Sequence, residues 1–135
     1  MTTAIKVVID ANVIVRAGVE SSREAREWTE QFGGAVDAFA PDVLWPEVTN
    51  ALRGYVVAER ISRADAQDAL RVAMTLPITL ESTPRLGPAA LETALDRGLS
   101  VYDASYVALA RIRDATLVTA DRRLAAAAPK AELIG

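Results

Sequence analysis

The chain has 135 residues, of which 51% are hydrophobic, and a formal net charge of −3, so it fits one ordinary globular domain over residues 1–135. It has no cysteine and no histidine, which excludes disulfide bonds, thiolate zinc sites, thiol nucleophiles and imidazole bases and leaves carboxylates to carry any metal or acid–base chemistry. The acidic net charge argues against a protein whose main task is to grip phosphates, and the N-terminus has neither a signal peptide nor a membrane span, so we expect a cytoplasmic protein.

The first quarter of the chain predicts a strand and then a helix. Ile5–Ile9 is a short β-branched run typical of a buried central strand, and Asp10 ends it. The residues from Ser21 to Glu24 indicate a capping box that opens a helix, which we expect to continue through Phe32. Two glycines follow directly and end it.

The rest of the chain continues the alternation. Ser62 is a helix-capping residue, Pro77 ends a helix, and Gly98 is typical of a C-terminal cap. The predicted elements are a strand at 38–40, helices at 42–59 and 62–76, a strand at 78–80, helices at 88–97 and 102–113, a strand at 116–119, a helix at 122–127 and a strand at 131–134.

Strands that alternate with helices, without a tight hairpin signal between them, indicate a parallel sheet with helices on both faces. We therefore expect an α/β three-layer sandwich with a mostly parallel sheet of four to five strands.

Two acids follow predicted strands. Asp10 comes directly after the first strand, and Asp121 comes just past the strand that ends at Thr119. In open parallel sheets, ligands bind beyond the carboxyl ends of the strands, so these two acids are candidate site residues. The alternative for each is a helix N-cap, because aspartate accepts backbone N–H bonds well.

Two other acids lie on apolar helix faces. Glu47 is four residues from both Val43 and Ala51, and Asp103 shares a face with Tyr106. An inward carboxylate has to be neutralised by a cation, by hydrogen bonds or by a raised pKa. For Asp103 the alternative is a first-turn acid that the helix dipole favours.

A cluster of four acids predicts a site for divalent cations. Oxygen ligands without histidine or cysteine suit Mg²⁺, with Mn²⁺ able to substitute, and do not suit structural zinc. Two such ions about 4 Å apart can activate a water and stabilise the leaving oxygen of a phosphodiester, so the pattern favours a metal-dependent nuclease.

Four short segments carry these acids: VIDANV over residues 8–13, PEVTNAL over 46–52, YDASYVALA over 102–110 and LVTADRRL over 117–124. In this order they resemble the PIN domain, and specifically the VapC-type toxins of toxin–antitoxin pairs, over essentially the whole chain. The family's acidic residues fall on Asp10, Glu47, Asp103 and Asp121.

The resemblance implies a magnesium-dependent endoribonuclease that is usually a homodimer and is silenced by a cognate antitoxin whose tail reaches into the acidic pocket. The choice of RNA over DNA comes from the resemblance alone, because a two-metal mechanism does not use the ribose 2′-hydroxyl.

Three polar neighbours have candidate supporting roles. Asn12 and Thr119 are placed to hydrogen-bond an acid or a metal-bound water, and Arg122 to contact a phosphate. Alternatively, Asn12 caps a helix, Thr119 is an ordinary strand residue and Arg122 is a solvated charge. Pro46 restrains the helix that presents Glu47, which affects how that carboxylate is aimed.

Two other classes of protein compete with the nuclease. A phosphoryl-transfer enzyme or receiver domain also places an aspartate after a first buried strand, but Asn12 and Lys130 do not match the further acids and lysine that those sites need. A non-catalytic module of the same fold, binding a protein partner or RNA, is the other alternative.

Overall fold

The computed structural model describes residues 3–135 and contains one sheet of five strands, all parallel to their neighbours, in the order β3-β2-β1-β4-β5. The expected parallel sheet is therefore confirmed, with five strands. The strands are β1 (Ile5–Ile9), β2 (Val36–Pro41), β3 (Ile78–Glu81), β4 (Thr116–Thr119) and β5 (Ala131–Leu133).

Helices cover both faces of this sheet. The helices are α1 (Ala11–Gly18), α2 (Arg23–Thr29), α3 (Leu44–Val57), α4 (Arg63–Ala73), α5 (Thr83–Arg97), α6 (Val101–Arg113) and α7 (Arg122–Ala127). No helix formed by residues 3–135 is both long and apolar enough to cross a membrane.

Strand β1 lies at the centre of the sheet and divides the core into two layers. Val7 and Ile9 pack in the layer formed mainly with α1, α2, α3 and α4, whereas Val8 packs in the layer with α5, α6 and α7. All three side chains are fully buried. This alternation follows from the two-residue period of a strand and explains why the whole run is apolar.

The order of the strands reverses at β1. The chain builds β2 and β3 on one side of β1 and then crosses to β4 and β5 on the other side. The carboxyl ends of β1 and β4 are neighbours, since Ile9 pairs with Val118. A crevice at such a switch point is where open α/β sheets bind ligands.

Helix α1 is missing from the sequence-based prediction. Its sequence contains Val13, Ile14 and Val15, which are β-branched and have low helix propensity. The structure buries all three against the sheet and its helices. Tertiary packing therefore overrides the local preference of this segment.

The predicted start of α5 is also wrong. The helix begins at Thr83 and not at Pro88, so Pro88 lies inside it, where its missing N–H removes one backbone hydrogen bond. The predicted C-terminal cap is correct, because Gly98 adopts the left-handed conformation with φ of 65°.

The capping box at α2 does not form as predicted. Ser22 is the N-cap and accepts a hydrogen bond from the Ala25 N–H at 3.3 Å. The Glu24 carboxylate instead accepts a hydrogen bond from the Gly135 N–H at 3.0 Å. The helix ends at Thr29, earlier than predicted.

Candidate functional site

The four acids singled out from the sequence line one cleft of about 380 Å³. Asp10 follows β1 and Asp121 follows β4, while Glu47 lies in the first turn of α3 and Asp103 in the first turn of α6. The carboxyl ends of two adjacent strands and the N-terminal ends of two helices therefore face the same space.

Asp10 is the most enclosed of the four, with 7% of its surface exposed. Its Oδ2 accepts a hydrogen bond from Thr119 Oγ1 at 2.7 Å and another from Asn12 Nδ2 at 3.0 Å. Asp10 occupies the N-cap position of α1, but its side chain makes no N-cap hydrogen bond. The helix-cap alternative therefore does not account for this side chain.

Asn12 and Thr119 tie the end of β1 to the end of β4. Thr119 Oγ1, which donates to Asp10, also accepts a hydrogen bond from the Asp121 N–H at 3.0 Å. Asn12 Oδ1 accepts from the Ala120 N–H at 3.1 Å. This network fixes the position of the Asp10 carboxylate.

Burial raises the pKa of the Asp10 carboxyl from 3.8 to about 6. The hydrogen bonds from Thr119 and from the Ala11 N–H oppose this shift, and the negative charges of Asp103 and Asp121 add to it. A buried carboxylate beside two others is destabilised as an anion, so a cation in the cleft would stabilise it.

Glu47 is held by a buried tyrosine. The Tyr106 side chain is fully buried, and its hydroxyl donates a hydrogen bond to Glu47 Oε1 at 2.9 Å. Burial raises the pKa of the Glu47 carboxyl, the Tyr106 hydrogen bond lowers it, and Asp10 and Asp103 raise it further. Burial also raises the pKa of Tyr106, which therefore stays a hydrogen-bond donor.

Pro46 does not disturb the presentation of Glu47. It is the third residue of α3, where a backbone N–H would have no partner within the helix. The first backbone bond of this helix runs from the Glu47 N–H to the Val43 carbonyl at 3.1 Å.

Asp121 and Asp103 also have structural partners. Asp121 Oδ1 accepts hydrogen bonds from the Arg123 N–H at 2.9 Å and the Leu124 N–H at 3.2 Å, so Asp121 is the N-cap of α7. Asp103 Oδ2 lies 3.5 Å from Arg123 Nη2 in a largely exposed pair. The helix-cap alternative is thus correct for Asp121, whose carboxylate still lines the cleft.

Among residues 3–135, no three acidic side chains are arranged to hold one metal ion between them. The cap at Asp121 and the pair between Asp103 and Arg123 turn two of the four carboxylates towards protein partners. The acids share a cleft without forming a closed cage.

Arg122 does not line the cleft, although the sequence suggested a phosphate contact for it. It is the exposed first residue of α7, and its neighbour Arg123 is the arginine that contacts a site acid. Tyr55 also lines the cleft, although it was not among the site residues predicted from the sequence. A four-residue spacing along α3, from Glu47 through Ala51 to Tyr55, was the signal that could have found it.

A larger groove of about 580 Å³ lies elsewhere, between α1, α2 and α4. It is lined mainly by apolar side chains and contains none of the four site acids. Size alone would favour this groove, whereas the concentration of charge makes the acidic cleft the candidate site.

Sequence comparisons place the chain among known proteins. The PIN domain family model matches residues 7–130. The chain is 40% identical over 90 residues to Ribonuclease VapC1 of Mycobacterium tuberculosis, a match that spans 65% of either protein. It is 33% identical over 118 residues to Ribonuclease VapC9 of the same organism, which covers 87% of each chain.

Two solved structures share the fold of this chain. PAE2754 from Pyrobaculum aerophilum superposes with a TM-score of 0.78 at 25% identity, over 98% of this chain and 91% of that one. VapBC2 from Rickettsia felis, solved with a promoter DNA fragment, matches with a TM-score of 0.72 at 14% identity, over 97% of this chain and 100% of the other, which shows the shared fold alone. The chain belongs to the PIN domain family.

Proposed function

We propose that the protein is a divalent-metal-dependent endoribonuclease that hydrolyses RNA phosphodiester bonds, and that it is the toxin of a toxin–antitoxin pair. The observation that carries this proposal is the Asp10 carboxylate, buried with a raised pKa in a cleft that it shares with three other acids. The names of the relatives VapC1 and VapC9 support the ribonuclease activity and the choice of RNA.

The donor set fits Mg²⁺, with Mn²⁺ as a substitute. Carboxylate oxygens are hard ligands, and Mg²⁺ keeps several waters and commonly binds only one or two carboxylates directly. A site without a three-acid cage is compatible with such an ion. Asp10, Glu47, Asp103 and Asp121 would hold the metal, which when bound supplies water activation and charge stabilisation at the phosphodiester.

The chain's own residues then have separate roles. Thr119 and Asn12 hold the Asp10 carboxylate in one orientation, so Asp10 places a negative charge at a fixed position in the cleft. Glu47 has one oxygen held by Tyr106, so its Oε2 is the atom that would accept a proton from an attacking water. Its raised pKa suits a general base, because proton transfer is most effective when the pKa is near the working pH.

The test is a cleavage assay on structured and single-stranded RNA with Mg²⁺, with Mn²⁺ and with chelator. We expect cleavage only with metal, and its loss in Asp10→Asn and Asp103→Asn variants. The matched control is Asp96→Asn, which changes an exposed acid on α5 outside the cleft. Cleavage that survives the chelator or both site variants would exclude the proposed active site.

A non-catalytic module that binds a protein partner or RNA is the second candidate. It is favoured by the side-chain partners of Asp121 and Asp103, which leave no three acids arranged around one point within residues 3–135. Binding of metal without cleavage of any RNA in the same assay would establish this alternative.

We also propose a cytoplasmic homodimer that binds a cognate antitoxin. Helix α1 borders both the apolar groove, through Ile14 and Ala17, and the acidic cleft, through Asn12 and Val15. A partner helix in the groove would therefore direct its tail towards the acids. Ala69→Glu, on the α4 side of the groove, should abolish inhibition by the antitoxin and leave RNA cleavage intact.

The homodimer is tested separately. Light scattering of the purified chain should give twice the mass of one chain.

A further inference from the structure

The cleft of the four acids continues along α1 and α3 to a second group of side chains. Glu47, Ala51 and Tyr55 all line it at four-residue intervals, so Tyr55 lies two helical turns, about 12 Å along the axis, from Glu47. Arg16 and Glu20 line the same stretch from the side of α1. One end of the cleft is therefore acidic, and the other end carries an aromatic ring and an arginine.

Arg60 is held over the Tyr55 ring by the way α3 ends. Glu59 adopts the left-handed conformation with φ of 58°, the Glu59 N–H bonds to the Val56 carbonyl, and the Arg60 N–H bonds to the Tyr55 carbonyl at 2.9 Å. These bonds form a Schellman motif, which reverses the chain. The Arg60 guanidinium carbon consequently lies 4.8 Å from the centre of the Tyr55 ring.

The remaining members of this group are also held in place. The Tyr55 hydroxyl donates a hydrogen bond to Glu20, and Arg16 Nη1 donates to the Gly135 carbonyl at 2.9 Å. The hydrogen bond to Glu20 and burial raise the pKa of the Tyr55 phenol, and the charges of Arg60 and Arg16 oppose that shift. The positive charges of Arg16 and Arg60 therefore both lie near the Tyr55 hydroxyl. We call the aromatic end the lining residues Arg16, Glu20 and Tyr55 together with Arg60, which does not itself line the cleft but lies over the Tyr55 ring.

Two properties of the aromatic end match a nucleotide. Unpaired RNA bases stack on aromatic rings and on the planes of arginine guanidinium groups, and the stacked pair of Arg60 on Tyr55 presents such a plane. Arginine is also the side chain that binds phosphate oxygens with two N–H groups. The chain has a net charge of −3, so its acids repel the phosphates of an RNA strand, and arginines beside the acidic cleft can attract them.

We infer that the aromatic end binds the nucleotide next to the scissile phosphate of a single-stranded RNA, with its base stacked on the Arg60–Tyr55 pair and its phosphate at Arg16. This inference rests on the proposed function, because it takes the acidic end as the place of cleavage. This arrangement fixes how the RNA lies along the cleft: the phosphate that is cut lies at the four acids, and the neighbouring base lies on Arg60. It requires an unpaired base at that neighbouring position.

The first experiment measures binding without turnover. Fluorescence anisotropy with a labelled single-stranded RNA is recorded for the Asp10→Asn variant and for the same variant carrying Arg60→Ala, Arg60→Lys or Tyr55→Ala. Loss of one base–aromatic stack should weaken binding roughly tenfold. Arg60→Lys keeps the charge but not the plane, so it should weaken binding almost as much as Arg60→Ala. Arg53→Ala, an exposed arginine of α3 outside the cleft, is the control.

The second experiment locates the base. In otherwise wild-type protein, Tyr55→Ala should raise KM for RNA roughly tenfold with a much smaller change in kcat, whereas Arg53→Ala, outside the cleft, should change neither. An abasic nucleotide beside the cut site should raise KM of wild type to a similar degree. The same abasic substrate should cause no further loss in Tyr55→Ala.

The two proposals fail separately. If wild type cuts RNA but the Arg60 and Tyr55 variants bind and cut it as wild type does, the inference is wrong and the proposed function stands. Full affinity in Arg60→Lys would also refute base stacking, because charge alone would then suffice. If wild type cuts no RNA, the proposed function fails, while an RNA affinity that still depends on the Arg60 plane would support the aromatic end as a binding site.

Discussion

Replacing Asp10 with asparagine should stabilise the metal-free protein at neutral pH while it weakens the stabilisation by added Mg²⁺. Asp10 is 7% exposed, and burial raises the pKa of its carboxyl to about 6 from the ordinary value of 3.8. Between these two values the folded state binds more protons than the unfolded state, so stability falls as the pH rises from about 4 to about 6. Above about pH 6 the Asp10 carboxyl is ionised in both states, and the loss of stability that its burial causes no longer changes with pH.

The magnitude follows from the size of the shift. A difference of about two pK units corresponds to ~3 kcal/mol at neutral pH. Asparagine keeps the size of the side chain and one acceptor oxygen for Thr119, but it loses an acceptor, which costs about 1 kcal/mol. The net expected stabilisation is about 2 kcal/mol, or roughly 6 °C in Tm for a chain of this length.

Thermal unfolding with chelator at about pH 7.5 and about pH 5 measures this effect. We expect Asp10→Asn to melt above wild type at the higher pH and the gap to narrow at the lower pH, where wild type is largely protonated. Added Mg²⁺ should raise the Tm of wild type more than that of the variant, because the variant lacks one of the four carboxylates that would hold the ion. Asp96→Asn, an exposed change, should shift neither curve. A variant that melts below wild type by the same amount at both pH values would contradict a raised pKa of Asp10 in the folded protein.

Three further substitutions test the neighbours of the acids. Thr119→Val removes the donor to the buried aspartate and the acceptor of a backbone N–H, so it should cost 1–3 kcal/mol in denaturant unfolding, and an unchanged midpoint would contradict the network. Tyr106→Phe frees Glu47 Oε1 and should lower kcat about tenfold with KM nearly unchanged in RNA cleavage; a change in KM alone would argue against a positioning role. Arg123→Ala removes an exposed ion pair with Asp103, so its stability should stay within about 0.5 kcal/mol, while isothermal titration should detect tighter Mg²⁺ binding. Weaker Mg²⁺ binding would mean that the arginine helps the site.

Local sequence patterns were sufficient for most of the elements. The apolar run of β1 and the alternation of strands and helices predicted the parallel three-layer sheet, which is confirmed. Glu47 and Asp103 were distinguished from solvent-facing acids by their helical spacing to apolar residues. These signals are visible in the sequence because strand and helix periods are properties of short segments.

Other features are set by residues far apart in the chain. Helix α1 forms because Val13, Ile14 and Val15 are buried by the rest of the protein, which overrides their preference for strands. The prediction at α2 failed in a similar way, since Glu24 contacts the C-terminal Gly135 and not its own helix end.

In the candidate site, too, some features could be predicted from the sequence and others arise only from the fold. The sequence marked the four acids, but the pairing of Ile9 with Val118 is what brings the ends of β1 and β4 side by side. Only the packed fold puts the Tyr106 hydroxyl on Glu47, 59 residues away in sequence, and Arg60 over the ring that lines the far end of the cleft. Which side chains could bind a cation was visible in the sequence, because it depends on residue type and on the face of an element. Their partners, exposure and pKa values depend on distances between segments that no local pattern encodes, so they are set only in the folded protein.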